Sequence, residues 1–198
     1  INIGVRYLLP LIPLLCIVAG RAAFVFREKW RPVLAVLCIW QIGAVAWIHP
    51  HYLAYFNEFV GGPANGYKYL VDSNLDWGQN FDRLVAYLKE NNVEGANIDY
   101  FGPPGVMRYY GLENIERHEC KPAPGLWFVS ATHLQGLYQE DPACYDWLKQ
   151  LQPKDDIGYS IFIYEVDEQD LKEIAGSSDP SPEPVPVRVK PSSFSEQQ

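Results

Sequence analysis

Two long apolar runs open the chain, and a shorter-period pattern follows them. Residues 7–20 carry no charge, Arg21 interrupts, and 22–26 are again apolar. As a helix, 7–26 would reach about 30 Å, the thickness of a bilayer core. Pro10 and Pro13 predict a kink that neighbouring helices must accommodate, and Arg21, near one end, would snorkel to the interface. Residues 32–48 form the cleaner run: 17 residues, 14 of them apolar, none charged, with Gln41 the one polar side chain. Apolar residues on every face favour a membrane span over the single stripe of a soluble helix, the alternative being a buried helical hairpin.

Beyond a membrane-exit segment at 49–66, the pattern at 67–174 alternates strand-like and helix-like stretches, which predicts a small sheet covered by helices. Strands are expected at 67–71, 98–101, 126–131 and, most clearly, in GYSIFIYEV at 158–166. An amphipathic helix is expected at 77–91, with Trp77, Phe81, Leu84, Val85 and Leu88 at helical spacing, and Asp76 with Gln79 as a capping box. A short helix is expected at 105–110 and a mostly helical stretch at 134–151, interrupted near Pro142. The last segment, 175–198, is rich in Pro and Ser with Phe194 its single aromatic, and reads as a disordered tail. The fold class is thus two transmembrane helices followed by a small α/β domain.

Charge assigns sides to this layout. The whole chain has 16 basic and 24 acidic residues, net −8. Residues 1–48 sum to +4 and 49–198 to −12, which excludes a nucleic-acid backbone as the main partner. The basic connection REKWR at 27–31 is placed in the cytoplasm by the positive-inside rule, so 49–198 would lie outside it, with Trp47, Tyr52, Tyr55 and Phe56 as an aromatic belt. The chain starts at Ile1 without an initiator Met, a basic n-region or a cleavage site, and reads as a fragment of a longer protein.

Few residues carry chemistry. No nucleophile elbow, phosphate-binding P-loop, zinc-protease helix or dinucleotide fingerprint occurs, so soluble hydrolase and nucleotide-enzyme readings have no support. DSNLDWGQ at 72–79 concentrates polar groups at a strand-to-helix junction, where α/β folds present ligand-binding side chains. Asp72 and Asp76 would bind a sugar hydroxyl or a divalent cation, Trp77 would stack on a sugar ring, and Asn74 and Gln79 belong to the same candidate substrate-binding cluster. The competing structural reading makes the same residues a turn and a helix cap, with Trp77 in the core. Cys120 and Cys144 would be bridged in an oxidising compartment, whereas Cys16 and Cys38 fall in the spans. His118 and Cys120 lack the second pair a zinc site needs. His49 and His51, flanking Pro50, and Arg6 with Tyr7 at the start of the first span, are placed to meet a lipid phosphate, the alternatives being solvated interfacial histidines and an arginine that only anchors the span end.

GVRYLLPLIP at 4–13, HPHYLAYFNE at 49–58 and DSNLDWGQN at 72–80 together resemble the C-terminal part of bacterial membrane glycosyltransferases similar to glycosyltransferase family 39, which includes the protein O-mannosyltransferases and aminoarabinose transferases. The resemblance covers about residues 1–88. It implies a multi-pass inner-membrane enzyme of the glycosyltransferase-C fold. Such an enzyme moves a sugar from a polyprenyl-phosphate carrier to an extracytoplasmic acceptor, whether glycan, lipid or protein. It also implies that the catalytic acidic residue lies in a first extracytoplasmic loop outside this chain, which alone would be inactive, and that Arg6 contacts the donor phosphate. From another class, the alternative is an anchored extracytoplasmic binding module without transfer chemistry. A soluble enzyme using Asp72 and Asp76 as an acid/base pair would require both apolar runs to be core helices.

Overall fold

The computed structural model describes residues 8–25, 28, 30–93, 95–103, 105–112 and 120–176. Arg6, Tyr7, Arg27, Lys29, His118 and the segment from 177 onward lie outside the described residues.

The first run forms helix α1, Leu11–Val25, of 15 residues. Pro10 precedes it and Pro13 falls in its first turn, where a missing N–H interrupts no intrahelical hydrogen bond, which removes the reason for the expected kink. At about 1.5 Å per residue α1 is short of a bilayer core. The second run forms α2, Arg31–Ile48, with Pro32 in its first turn. Among the described residues α2 is the one helix long and apolar enough to cross a membrane, with mean hydropathy 1.7. Apart from Ile48 at its end, its side chains are largely exposed, in keeping with an all-round apolar helix.

The rest of the described chain is a small mixed α/β unit. Strands β1 (Asn97–Asp99), β2 (Gly125–Ser130), β3 (Asp155–Ile157) and β4 (Ile161–Val166) form one sheet in the order β1-β2-β4-β3. β1 runs parallel to β2, and the other pairs are antiparallel. Because side chains alternate along a strand, Ile98, Phe128 and Ile163, which are in register, face one core while Trp127, Val129, Phe162 and Tyr164 face another. Helix α4 (Phe81–Glu90), which follows the single turn α3 (Pro63–Gly66), buries Phe81, Leu84, Val85 and Leu88 in the first core. Leu75, Ala54, Leu134, Tyr145 and Leu148 fill the second. The one-turn helices α5 (Val106–Tyr109) and α6 (Ala131–Leu134) lie in the crossover from β1 and just after β2.

Several expected elements are corrected. Residues 67–71 are not a strand: Lys68, Tyr69 and Leu70 donate their N–H groups to Asn65 and Gly66, so the backbone is satisfied locally, and Tyr67 packs its ring 4.4 Å from Phe162. The amphipathic helix begins at Phe81, not Trp77, because Gly78 at φ +74° breaks the helical path. Its N-cap position is Asn80, whose side chain bonds Ser160 Oγ at 2.8 Å instead of capping the helix, so the Asp76–Gln79 capping box does not form. The 134–151 stretch holds only the end of α6 and a 3-10 turn at Leu148–Gln150, since Gly136 and Tyr138 take positive φ and stop the helix. The stretch 158–166 is the second arm of a hairpin. Gly158 and Tyr159, both near φ +62°, make its mirror-image turn, and the partner β3 had no sequence prediction. Helix α7 (Glu168–Gly176) was also unexpected, though Asp167 accepts the N–H groups of Gln169 and Asp170 as a helix cap does.

A disulfide joins Cys120 to Cys144, with the two Cα atoms 5.5 Å apart. Trp147 donates its indole N–H to the Cys120 carbonyl at 3.1 Å beside it. Closing this loop in the unfolded chain removes entropy worth about 3 kcal/mol. Replacing Cys120 and Cys144 together by Ser is therefore expected to lower the urea midpoint of the detergent-solubilised chain, followed by tryptophan fluorescence. An unchanged midpoint would show that the bridge adds nothing to stability.

Candidate functional site

The site forms where the parallel pair ends. Asp99 closes β1 and Ser130 closes β2, so the chain leaves both strands at the same sheet edge, the usual place for a ligand crevice in an α/β fold. Residues 72–79 fold over that edge, pinned by Leu75, which is fully buried in the second core.

Within this loop the amides of Leu75 and Asp76 both donate to the Asp72 carbonyl, at 2.9 and 2.8 Å. Asp72 takes φ +56°, a conformation that aspartate tolerates better than most residues. It is held there by its own N–H donating to Thr132 Oγ1 at 3.1 Å and by Tyr138 donating to Oδ2 at 3.0 Å. The Tyr100 hydroxyl donates to the Gly78 carbonyl, and a side chain at Gly78 would collide with that hydroxyl.

Asp76 has no solvent exposure. One of its oxygens accepts the Gly78 N–H at 3.0 Å; the other, Oδ2, has no hydrogen-bond partner among the described residues, and neither has the buried Ser73 Oγ. Burial pushes the Asp76 pKa up from 3.8 to about 6; the Gly78 N–H and the charge of His133 oppose the rise, and Asp72 adds to it. An unpaired buried carboxylate oxygen is costly, which is the physical reason the neutral form is favoured here.

Asp99 behaves in the opposite way. Burial would raise its pKa, yet His133 Nδ1 at 2.8 Å from Oδ1, Tyr145 Oη at 2.6 Å and Gln139 Nε2 at 2.9 Å, the latter two on Oδ2, outweigh burial and lower it. Tyr145 is itself pushed up, by burial and then by Asp99, and so stays a donor. With Asp99 ionised, Nδ1 is the nitrogen that donates and Nε2 is left for another partner.

Aromatic rings frame these groups. Tyr138 stacks on Phe101 with centroids 5.4 Å apart and planes 8° from parallel, and Phe101 meets His133 edge-on at 5.7 Å. Trp77 is 54% exposed, so the reading that placed it in the core is corrected; Leu75 takes that role. Its indole N–H donates to the Ser73 carbonyl at 3.0 Å, which fixes the ring over the loop. Trp77 and Tyr138 thus present exposed ring faces, while Asp76 and His133 are buried.

Of the residues expected from sequence, Asp72 and Asp76 come together with the sheet edge. Asn74 and Gln79 serve the loop: Asn74 donates to the Val71 carbonyl at 3.3 Å, while Gln79 accepts the Trp77 N–H at 2.7 Å and donates to the Leu75 carbonyl at 3.0 Å. His49 bonds the Tyr52 hydroxyl at 2.7 Å. His51 borders a neighbouring cleft of about 220 Å³ with Asn80, Arg83 and Gly158, and burial followed by the Arg83 charge lowers its pKa. Asp99, His133, Tyr138 and Tyr145 were missed; the available signal for Asp99 and His133 was a polar residue within or at the end of the apolar runs IDYF and WFVSATH, and local sequence carried none for Tyr138 and Tyr145. Among the described residues no three His, Cys, Asp or Glu side chains are grouped to hold a metal ion. No family model, curated protein or solved structure matches the chain.

The raised pKa of Asp76 gives a stability test with a defined sign. A folded pKa above the unfolded one contributes stability that is complete below 3.8 and is lost as pH rises through about 6. Asp76→Asn keeps an acceptor for Gly78 and removes the charge, so it is expected to stabilise the chain at pH 7.5 by about 2–3 kcal/mol and to lose that advantage near pH 4. Thermal unfolding at the two pH values checks this, and equal effects at both would contradict the buried-carboxylate account.

Proposed function

We propose that this chain is the C-terminal part of an integral membrane glycosyltransferase, and that its sheet domain receives the acceptor. The observation that carries the reading is the pair of exposed aromatic rings on the polar 72–79 loop, Trp77 within it and Tyr138 bonded to its Asp72, an arrangement suited to a sugar. Three further features support it. The domain directly follows the apolar helix α2. The Cys120–Cys144 bridge fits an oxidising, extracytoplasmic compartment. The resemblance to family 39 transferases runs through the same DSNLDWGQN loop that forms the site.

In this reading the protein is multi-pass in a bacterial inner membrane, with 49–198 outside the cytoplasm, and the donor is a polyprenyl-phosphate-linked sugar. The acceptor hydroxyl oxygen bonds to the anomeric carbon while the bond to the carrier phosphate breaks, the electron pair leaving on phosphate. The proton goes to a carboxylate from outside this chain. Arg6 neutralises the departing phosphate. The residues of 72–79, with His133 and Tyr138, orient the acceptor, which lowers the entropy lost on reaching the transition state.

Transfer of labelled sugar from the lipid carrier, measured in membranes containing the complete polypeptide, tests both halves. Trp77→Ala is expected to raise the acceptor KM about tenfold, the equivalent of about 1.4 kcal/mol of lost binding, while the donor KM stays unchanged. Arg6→Ala is expected to lower kcat or raise the donor KM. An acceptor KM untouched by Trp77→Ala removes the acceptor role. A complete protein that transfers no sugar, yet whose domain binds saccharide, would instead be the anchored binding module.

A further inference from the structure

The histidine pair of HPHYLAYFNE is a sequence feature that sugar transfer leaves unused, and the structure gives its two members different surroundings. His49 Nδ1 is engaged by the Tyr52 hydroxyl at 2.7 Å. The His51 ring has no hydrogen-bond partner among the described residues and meets Tyr159 edge-on, with centroids 5.8 Å apart. It forms one wall of the cleft of about 220 Å³ between the exit segment and the first turn of α4, which Arg83 lines from the other side.

The position of the His51 ring is set from behind. Asn80 is buried, with its Nδ2 held by Ser160 Oγ at 2.8 Å and the Gly158 carbonyl at 3.4 Å. A Cβ on Gly158 would lie 2.8 Å from His51 Nδ1 and 2.6 Å from Asn80 Nδ2, so imidazole and amide both approach this turn as closely as a glycine allows. With Nδ1 packed against the turn, Nε2 is the ring nitrogen left for a ligand.

Charge in the cleft runs against that of the domain around it. Residues 49–198 sum to −12, yet Arg83 makes no ion pair among the described residues. Two acids are close, and each is committed to backbone. Asp82, which also lines the cleft, accepts the Arg83 N–H on Oδ1 at 2.9 Å at the positive start of α4, and Asp156 accepts the Tyr159 N–H on Oδ1 at 2.7 Å. Burial and then the Arg83 charge lower the His51 pKa; Asp156 opposes them by less than Arg83 contributes, and His49 adds to the fall. A guanidinium facing an imidazole disfavours protonation of the ring, and an anion placed between the two reverses that effect.

We propose that this cleft binds a phosphate group, whose oxygens accept hydrogen bonds from the Arg83 guanidinium and from His51 Nε2. The planar fork of arginine matches phosphate oxygens in pairs, and a cleft several times the roughly 30 Å³ of one water holds the group with part of its hydration. Two sources offer this chemistry. One is inorganic phosphate in solution. The other is the head group of a lipid phosphate monoester, because the cleft wall starts at Pro50, two residues beyond the end of α2 at Ile48. The site is independent of sugar transfer, so its failure leaves the acceptor reading standing.

The test follows the histidine resonances of the full chain by NMR, with isotope-labelled histidine, in a non-ionic detergent, and His51→Gln assigns the signal. Excess inorganic phosphate is expected to raise the His51 pKa by about one unit while leaving His49 and His133 in place, and acetate at equal ionic strength to leave all three unchanged. Arg83→Gln is expected to raise the anion-free His51 pKa, since that charge is one cause of its lowering, and to abolish the further rise with phosphate. The same titration in lipid nanodiscs separates the sources: a rise with phosphatidic acid and none with inorganic phosphate assigns a lipid head group, and the converse assigns the free ion. No rise with either, an equal rise with acetate, an equal rise at His49, or a rise that survives Arg83→Gln overturns the proposal.

Discussion

Trp127, Phe128 and Val129 in the middle of β2 have no solvent exposure, and they point alternately into the two cores on either face of the sheet. A strand buried on both faces has to be paired on both edges, and β2 is, by β1 and β4. Much of the domain follows from that requirement. Helix α4 is needed to cover Phe128, and the long passage from Ala131 to Leu151 is held over Trp127 by Tyr145, Trp147 and the disulfide. The parallel pairing of β1 with β2 then brings Asp99 and Ser130 to one edge, where the chain turns away twice and leaves a gap for the 72–79 loop.

At that edge two aspartates with the same chemistry are driven in opposite directions. Asp99 is buried with hydrogen-bond donors on both oxygens and is kept ionised; Asp76 is buried with one oxygen unfilled and is raised toward neutrality. Pairs of titratable groups whose environments push them apart are characteristic of functional sites. Asp76 also has a structural task, since its other oxygen accepts the Gly78 N–H where the chain turns into α4.

The apolar helix α2 and the domain are joined by more than a linker. Ile48 at the end of α2 is buried, His51 donates its amide to the Ile48 carbonyl at 2.6 Å, and Trp40 reaches Glu58. These contacts hold the domain against α2 rather than at a distance from it, and they give HPHYLAYFNE a structural role that composition alone left as a generic belt.

Local physics was legible in the sequence. The apolar run of α2, the 81-84-85-88 spacing of α4 and the alternation of β2 and β4 each specify an element from residues within a dozen positions, because helix and strand periods are local. Asp72, Asp76 and Trp77 stood out for the same reason, crowded into one short loop. Where the outcome depended on distant partners, the local reading failed. Residues 67–71 have strand-like composition but bond back to Asn65 and Gly66, and Trp77 has a core-like side chain but yields the interior to Leu75 two residues earlier. Asp99, His133, Tyr138 and Tyr145 are spread over 47 positions and meet only because β1 lies parallel to β2. The sequence by itself determined a membrane-length apolar helix and the principal elements of an α/β domain. Only the tertiary structure decided which carboxylate is paired and which is left open, since that depends on hydrogen-bond donors supplied from across the sheet.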